Sequence, residues 1–308
     1  MVRQGQSPGD EGDEAGGAEV SGVGDRLVGL VCAVVEHHGY ACTVVSDDEL
    51  ELRRQGQDEH MRIYLTNLRQ WVAQEPEDQW PAIVADFVGS VVATDEVGQD
   101  DSLDFGDYAL VRPLLRVRLY ADDFGQDIEV MKRYAAPGLV EVLVIDKPMS
   151  LMMVTVELAM QWEVEKDELF RVARENVRAD GPLEVESGDY KGVRLCSLGG
   201  DTAYVSAHAL WLGDYPVTGP HGALFIVPTQ GMLHAVPLHR DMLFPAMNLL
   251  ITVAWRCYEE GPRSITPNVY WWQDGQLWLA GTVTKNDGGL TVSISGEWHS
   301  VLMEPEQE

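Results

Sequence analysis

The chain has 308 residues, and 50 acidic against 22 basic side chains give it a formal net charge of -28 at pH 7. A charge of this sign repels phosphate backbones and anionic lipid surfaces, which argues against nucleic acid and membranes as partners. It is compatible with a basic protein partner, although a solvated acidic surface explains the same composition without one. The length and an apolar fraction of 45% predict one large domain or two modest ones with a sizeable core.

The two ends of the chain are predicted to be flexible tails. Residues 1–24 are rich in Gly and acidic side chains and contain no apolar stretch, which is typical of a disordered segment and not of a signal peptide. Residues 301–308 form the second tail.

The chain has four cysteines, Cys32, Cys42, Cys196 and Cys257. They form no C-x-x-C pair, and three of them lie among apolar neighbours, so we expect reduced, buried thiols. No apolar segment is long enough to span a bilayer. The sequence therefore predicts a cytoplasmic protein.

The first third of the chain alternates helical and strand-like patterns. Apolar spacing predicts a helix from about residue 25, which Gly39 is placed to close. Three strand-like pieces follow it, at residues 41–46, 49–53 and 60–65. Asn67 is a suitable N-cap for the next helix, and Pro76 occupies the first position of a further apolar stripe that predicts another helix.

Residues 114–120 alternate between apolar and charged side chains. The apolar side chains point to one side of the predicted strand, and Arg116 and Arg118 point to the other. This pattern is typical of a half-buried strand whose basic face is turned to solvent.

The central stretch, residues 139–178, organises the rest of the chain. An apolar, β-branched run over residues 139–145 predicts a strand that is covered on both faces. A turn that begins at Asp146 ends this strand. Helical spacing then predicts a helix over residues 166–178, in which Asn176 is placed to cap the helix or to bridge to a neighbouring strand.

Motifs in this stretch resemble those of a known protein family. The chain reads V-x-D-x-P at residues 144–148, then a short helix that ends at Trp162, then E-L-x-x-x-A-x-x-N at residues 168–176. The segment YLTNLRQWV, residues 64–72, resembles a second motif, S-L-x-N-L-Y. These features are similar to the DUF1444 (YtpQ-like) bacterial proteins, a family without an assigned biochemical activity. The family pattern P-[ST]-R-D is here Pro-Thr-Gln-Gly at residues 228–231, so an activity that needs this arginine and aspartate does not carry over.

The remaining elements are short strands, a helix near residues 245–258, and a hairpin whose turn is Asp274-Gly275. Helices and strands alternate irregularly along the chain, and many strand pairs resemble hairpins. The sequence therefore predicts an α+β fold with mixed, mostly antiparallel sheets and packed helices, and it is compatible with two lobes. The lobes are residues 25–148 and 149–300, with a boundary at the turn between them.

Two residues are weak candidates for catalysis. Asp146 ends a buried strand before a turn, a common place for a catalytic carboxylate, but the same side chain can simply accept backbone N–H groups of the turn. His221 lies in a Gly-Pro-His-Gly turn before a strand, where catalytic loops and ordinary turns both occur. The sequence contains no nucleophile elbow or P-loop, and its Ser-His pairs are those expected from composition.

The sequence predicts no metal site and no cofactor. His37 and His38 are adjacent on a helix and point in different directions, and no Cys/His cluster is present. The acidic residues 100–107 do not match a calcium loop, because Gly106 falls one place too late and no glutamate closes the loop. We interpret residues 100–107 as a solvated loop.

The predicted hairpin carries the surface that the sequence nominates for binding. With Asp274 and Gly275 as the turn, Trp271 pairs with Trp278 on one face. Both faces of this hairpin are apolar, so the Trp271/Trp278 face needs a cover. The chain's own helix is the favoured cover, and the alternative is a protein partner anchored on Trp271 and Trp278.

These observations favour a non-catalytic protein- or peptide-binding module of a chaperone-like or immunity-like kind, with a basic partner. The alternative is a small-molecule hydrolase that uses carboxylates near Asp146. A cleft that joins Asp146 to a second carboxylate or to His221 would favour the enzyme. A flat, exposed aromatic patch would favour the binding module.

Overall fold

The structure is a computed structural model, and it describes residues 24–54, 56, 60–98, 103–125, 129–147, 150–286, 289–296 and 298. The predictions of a disordered tail over residues 1–24 and of a flexible tail over residues 301–308 lie outside the described residues, except for Gly24 at the start of the first helix.

The described residues form an α+β fold, as the sequence predicts. The α-helices are α1 (Gly24–His37), α2 (Thr66–Val72), α3 (Trp80–Gly98), α4 (Tyr108–Val111), α5 (Val156–Gln161), α6 (Lys166–Ala179) and α7 (Leu243–Glu260). The strands are β1 (Tyr40–Ser46), β2 (Glu49–Arg54), β3 (His60–Tyr64), β4 (Leu115–Ala121), β5 (Lys132–Ala136), β6 (Leu139–Lys147), β7 (Ser150–Met153), β8 (Glu184–Tyr190), β9 (Val193–Gly199), β10 (Ala223–Ile226), β11 (Leu233–Pro237), β12 (Val269–Gln273), β13 (Gln276–Asn286) and β14 (Gly289–Ile294). Neighbouring strands in the described sheets run antiparallel.

The chain divides into two compact units after Leu65. In the first unit, β1, β2 and β3 form a three-stranded sheet, and α1 precedes it. Leu27, Val31 and Val35 are buried at every fourth position of α1, which gives this helix one apolar face. Gly39 has a φ of 83° and closes the helix in the left-handed conformation that glycine adopts without strain, as predicted.

The first unit contains a disulfide that the sequence analysis did not predict. Cys32 of α1 and Cys42 of β1 are bonded, and their Cα atoms lie 5.5 Å apart. The prediction of reduced thiols is therefore wrong for this pair, because the return of the chain from α1 into β1 brings the two cysteines together. Cys196 is a buried free thiol, and Cys257 is a half-buried one.

The division after Leu65 differs from the boundary that the sequence analysis places between residues 148 and 149. That boundary lies inside a hairpin, in which Lys147 of β6 pairs with Ser150 of β7. Residues on both sides of it, such as Val144 and Phe170, belong to one hydrophobic core. The polar turn therefore marks the end of a strand and not the end of a compact unit.

The second unit contains two antiparallel sheets. The larger has seven strands in the order β14-β13-β12-β10-β11-β9-β8, and the smaller pairs β6 with β4, β5 and β7. The larger sheet is covered on both faces at its centre. In β10, Leu224 and Ile226 lie in a core with α7, whereas Ala223 and Phe225 lie in the main core of the unit. The continuous apolar run of β10 is the sequence signature of this double burial.

The hairpin formed by β12 and β13 has the predicted pairing of Trp271 with Trp278. Trp271 is buried in the core with α7, and its ring lies 5.5 Å from that of Trp298. Its indole N–H donates to the carbonyl oxygen of His221 at 2.8 Å. The chain's own helix is therefore the cover of this face, while Trp278 at its rim is 39% exposed.

Two predicted helix starts are shifted in the structure. Asn67 lies inside α2, which begins at Thr66, and its side-chain oxygen accepts a hydrogen bond from the backbone N–H of Arg263 at 2.9 Å. A non-local contact therefore takes the oxygen that was expected to cap the helix. The helix predicted from Pro76 begins at Trp80, as α3, after an intervening turn.

Strand β4 is buried on both faces. The residues predicted to face solvent are largely enclosed, since the Arg116 side chain is 12% exposed and Arg118 is 6% exposed. The predicted basic outer face is therefore wrong. The alternation of charged and apolar residues reflects charged groups that are buried within the unit.

Candidate functional site

The smaller sheet carries charged groups on both of its faces. On the side of α6, the buried carboxylate of Glu141 accepts hydrogen bonds from Arg133 at 3.0 and 3.3 Å and from Arg174 at 2.9 Å. Asn176 of α6 donates its side-chain N–H groups to two backbone carbonyl oxygens at and just before the start of β4, both at 2.9 Å. Asn176 therefore bridges to a neighbouring strand, which is one of its two predicted roles.

The opposite face of the smaller sheet carries the first candidate site, the Arg118 cluster. The pairing of β4 with β6 puts Arg116, Arg118 and Tyr120 on this face, and Asp146 lies further along β6 on the same side. Tyr204, which follows β9, lies close enough to interact with the charges of Asp146, Arg116 and Arg118. These five residues define the Arg118 cluster.

Arg118 is a buried cation whose donors are not satisfied. Its Nε and Nη2 atoms are buried and have no hydrogen-bond partner in the part of the chain that the structure describes. Its guanidinium carbon lies 5.7 Å from the centre of the Tyr120 ring, a cation–π distance. Burial lowers the pKa of the Arg118 guanidinium, and the positive charge of Arg263 acts in the same direction. A guanidinium stays charged even so, and its buried N–H groups need an acceptor.

Tyr204 presents a second unsatisfied donor. It is 4% exposed, and its hydroxyl faces the Asp146 carboxylate but makes no well-formed hydrogen bond among the described residues. Burial and then the negative charge of Asp146 raise the pKa of Tyr204, so the hydroxyl keeps its proton at neutral pH. The side-chain amide of Gln230, by contrast, has partners for both of its ends. Its N–H donates to the carbonyl oxygen of Leu119, and its oxygen accepts from the Ser206 hydroxyl at 3.2 Å.

The two catalytic candidates from the sequence lie in different places. Asp146 belongs to the Arg118 cluster, whereas His221 precedes β10. The backbone N–H of His221 donates to Leu238 at 3.3 Å, and its carbonyl oxygen accepts from Trp271 at 2.8 Å. No hydrogen bond or ion pair joins Asp146 to His221 among the described residues.

A second candidate site is a cleft beyond the end of α6, which we call the His208 cleft. It consists of two neighbouring cavities of about 390 and 320 Å³, within the size range of ligand pockets. The cavities share the wall residues Gly181, Pro182, Leu183 and His208. The larger cavity also has aromatic walls, and the smaller one has acidic walls.

Hydrogen bonds fix the tautomer of His208, which is 2% exposed in the wall of this cleft. The indole N–H of Trp211 can only donate, and it reaches Nδ1 of His208 at 3.2 Å. The hydroxyl of Tyr215 lies 2.5 Å from the same nitrogen and accepts the backbone N–H of Leu183 at 3.1 Å. Nδ1 is therefore an acceptor, and the proton of the neutral ring sits on Nε2, which has no hydrogen-bond partner among the described residues.

The charge state of His208 follows from its surroundings. Burial and then the positive charge of Arg178 lower the pKa of His208 to about 4. The ring is neutral at pH 7 and offers Nε2–H to the cleft as a hydrogen-bond donor. A carbonyl oxygen is a matching ligand group.

The rim of the His208 cleft is acidic. Two of its carboxylates are paired with arginines, Asp180 with Arg116 at 2.7 and 2.9 Å and Asp214 with Arg178 at 3.1 Å. The other two, Glu184 and Asp201, are exposed and form no ion pair within the described residues. Their uncompensated charge favours a cationic ligand group.

Strand β8 begins at the His208 cleft. Leu183, Glu184 and Val185 line the cavities, and β8 continues to Tyr190 as the last strand of the described sheet. Apart from half-buried Val185, the residues of β8 are exposed. An edge strand of this kind offers a row of backbone N–H and C=O groups to another chain.

The sequence analysis missed the His208 cleft. A histidine shortly before a tryptophan and a tyrosine is a weak local signal. The facing wall comes from the connection between α6 and β8, and no periodicity in the sequence relates these two segments.

Strand register also joins a serine and a histidine that the sequence analysis treated as unrelated. His234 of β11 pairs with Ser197 of β9, and Ser197 Oγ lies 2.9 Å from His234 Nδ1. Burial lowers the pKa of His234. Glu186 of β8 stands opposite Ser197, but no hydrogen bond joins it to His234 in the described residues, so the arrangement is a dyad and not a triad.

Comparisons with protein-family models, with curated proteins and with solved structures found no match for this chain. In the described residues, no group of three or more His, Cys, Asp or Glu side chains could hold a metal ion. None of the described helices is both long and apolar enough to cross a membrane. The geometry of the two sites is therefore the basis for assigning a function.

Proposed function

We propose that this chain is a non-catalytic protein-binding module that adds an extended, basic segment of a partner to the edge of β8. One side chain of that segment enters the His208 cleft. The observation that carries the proposal is that an exposed edge strand begins at an acidic cleft. Edge strands bind extended peptides through main-chain hydrogen bonds, and pockets beside them select side chains.

The cleft offers groups that match a lysine or arginine side chain. Glu184 and Asp201 supply negative charge that no described cation neutralises. Trp211 and Tyr215 give apolar walls against which the aliphatic part of a long cationic side chain can pack. Nε2–H of His208 is placed to donate to a carbonyl oxygen of the bound segment.

The charge of the whole chain supports the same kind of partner. A net charge of -28 attracts basic segments at a distance and repels acidic ones. Both effects weaken as salt is added, because the Debye length falls to about 8 Å at physiological ionic strength.

The two edges of the seven-stranded sheet differ in chemistry. β8 carries Glu184, Glu186 and Asp189, whereas β14, at the opposite edge, carries no charged side chain. The second edge is therefore an internal control for the first.

A small-molecule hydrolase is the second candidate function. Its predicted carboxylate, Asp146, lies beside Tyr204, and the Ser197–His234 hydrogen bond is a second feature that favours it. Hydrolysis of a chromogenic acetate ester that is lost in both Ser197→Ala and Asp146→Asn variants would support it, and turnover that survives both changes would exclude it.

Membership of the DUF1444 family and a cytoplasmic location are part of this proposal as well. The Cys32–Cys42 disulfide weighs against a reducing compartment, because structural disulfides are uncommon in the cytosol. Thiol titration of chain isolated under non-reducing, denaturing conditions distinguishes the cases, since the disulfide leaves two of the four cysteines free.

The peptide proposal is tested by fluorescence anisotropy with a labelled dodecapeptide of alternating Lys and Val, against a matched Glu and Val peptide. We expect the basic peptide to bind and the acidic one not to bind. Hydrogen exchange should slow in β8 and not in β14. Equal affinity for both peptides, or protection of β14 instead of β8, would contradict the proposal.

The matched variants remove two carboxylates each. Glu184→Gln combined with Asp201→Asn should weaken the binding of the basic peptide roughly 2- to 30-fold, as expected for the loss of two exposed ion pairs of about 0.2–1 kcal/mol each. Glu157→Gln with Glu165→Gln removes the same charge from the starts of α5 and α6 and should change the affinity less than twofold. Equal effects of the two double variants would show that only overall charge matters.

A further inference from the structure

Arginines in this protein bind carboxylates with one particular edge. In four described ion pairs, Nε and Nη2, which lie on the same edge of the guanidinium, donate to the two oxygens of one carboxylate. The pairs are Arg116–Asp180, Arg133–Glu141, Arg171–Glu168 and Arg174–Glu141. This arrangement matches the planar shape of a carboxylate.

Arg118 turns the same edge toward the protein interior. Its Nε and Nη2 are the atoms that are buried without a hydrogen-bond partner in the described part of the chain. Tyr204 interacts with the charge of Arg118, and its buried hydroxyl is a third donor without a partner among the described residues. These three donors lie together without a well-formed hydrogen bond among the described residues, and the acceptor nearest to them, the Asp146 carboxylate, interacts with Tyr204.

Asp146 is too far along its strand to satisfy Arg118. The residue that pairs with Arg118 is Val142, and Asp146 lies four positions further along β6, a distance of about 13 Å at the rise of a strand. The positive charge of Arg263 acts on Arg118, and Lys132 stands on the same face of the sheet. Arg118, Lys132 and Arg263 outnumber Asp146, the one carboxylate of the Arg118 cluster, so the balance of charge favours an anion.

We propose that Arg118 and Tyr204 bind the carboxylate of a small organic acid. Its two oxygens accept from Nε and Nη2 of Arg118, and the Tyr204 hydroxyl donates to one of them. A cationic ligand has no acceptor to offer to these donors. A carboxylate fits better than a tetrahedral phosphate, because the same guanidinium edge binds planar carboxylates in the four ion pairs of this chain.

Burial limits the size of the ligand. Arg118 is 6% exposed and Tyr204 is 4% exposed, so a small molecule is favoured over the end of another protein chain. The site does not depend on the peptide proposal, since neither residue lines the His208 cleft.

The test uses the full chain and measures thermal stability and side-chain NMR. The probes are acetate, succinate, citrate and benzoate at equal ionic strength, with chloride as the reference. At least one of these carboxylates should raise the Tm in a saturable way, because a ligand that binds the folded state stabilises it. The same acid should shift the Arg118 Nε–H signal, which is assigned by its loss in Arg118→Met.

Three variants separate binding from folding. Arg118→Met should abolish the response to the acid, and Tyr204→Phe should weaken its affinity roughly tenfold, as expected for the loss of one hydrogen bond to a charged group. Arg256→Met removes an exposed arginine of α7 and should leave the response unchanged.

Several outcomes would overturn the assignment. These are no response to any carboxylate, an equal Tm shift in Arg118→Met, or a response to inorganic phosphate alone. A neutral hexapeptide with a free carboxyl terminus tests the other source of a carboxylate, and a response to this peptide alone would overturn the small-acid assignment.

Discussion

The two faces of the smaller sheet both bury charged side chains, and they differ in how those charges are satisfied. On the α6 face, Glu141 is held by Arg133 and Arg174. On the other face, Arg118 and Tyr204 have buried donors without partners among the described residues. Burying a charge costs several kcal/mol unless a partner offsets it. The chain itself supplies the partners on the first face, and the second face is where we propose that a ligand supplies them.

Disrupting the ion pairs of Glu141 should have the largest effect on stability. Glu141→Gln removes a buried carboxylate from the half-buried guanidinium groups of Arg133 and Arg174, and we expect the free energy of unfolding to fall by about 3–5 kcal/mol. Urea denaturation measures the loss. Glu260→Gln, which removes an exposed ion pair from α7, is the control and should have little effect. A loss no larger than that of the control would show that the Glu141 cluster contributes nothing to stability.

The two tryptophans of the hairpin differ in burial, and their substitution should therefore differ in its effect on stability. Trp271→Ala removes a side chain packed under α7 and should cost about 3–5 kcal/mol. Trp278→Ala acts at the exposed rim and should cost roughly 0.5 kcal/mol. Calorimetry of the two single variants gives the comparison, and similar losses would show that Trp278 is also covered in solution.

Acid should lower the stability of the folded protein through His208. The pKa of His208 is about 4 in the folded protein and about 6.5 in an unfolded chain. The contribution of the neutral ring to the free energy of unfolding is therefore complete above pH 6.5 and is lost as the pH falls toward 4. The loss should reach at most about 3 kcal/mol. An NMR titration of the ring protons checks the assignment, and a midpoint near pH 6.5 would be incompatible with it.

Removing the unsatisfied charge should be the mildest change. Without added acid, Arg118→Met replaces an unpaired buried cation by an apolar side chain of similar length, and stability should stay the same or rise by about 1–4 kcal/mol. A loss as large as that of Glu141→Gln, measured in the same urea series, would mean that Arg118 has a partner that the described residues do not include.

Local patterns predicted the fold well. The apolar spacing of α1, the closing Gly39, the buried run of β6 and the register about Asp274 and Gly275 all depend on neighbours within one element or one hairpin. The α+β class followed from these elements, because hairpin-like strand pairs and separate helices are themselves local features.

The candidate sites were predicted poorly, because their geometry depends on non-local packing. The alternation in β4 indicates two faces, but it does not tell whether Arg118 meets water or another layer of the protein. The same holds for His208, whose partners and facing wall come from separate segments, and for the Ser197–His234 contact, which only the pairing of β9 with β11 creates. Asp146 was found, because the end of a buried strand is visible in the sequence.

The position of β10 in the larger sheet has a consequence for the order in which the chain folds. Its neighbour β11 follows after a short connection, whereas its other neighbour, β12, follows only after the whole of α7. Hairpins close within about 1–10 microseconds, but pairing Leu224 with Trp271 must wait for a much longer loop to close. We therefore expect the seam between β10 and β12 to form late. Until it does, an apolar strand edge is open to other copies of the chain, and a newly made molecule is at its greatest risk of self-association.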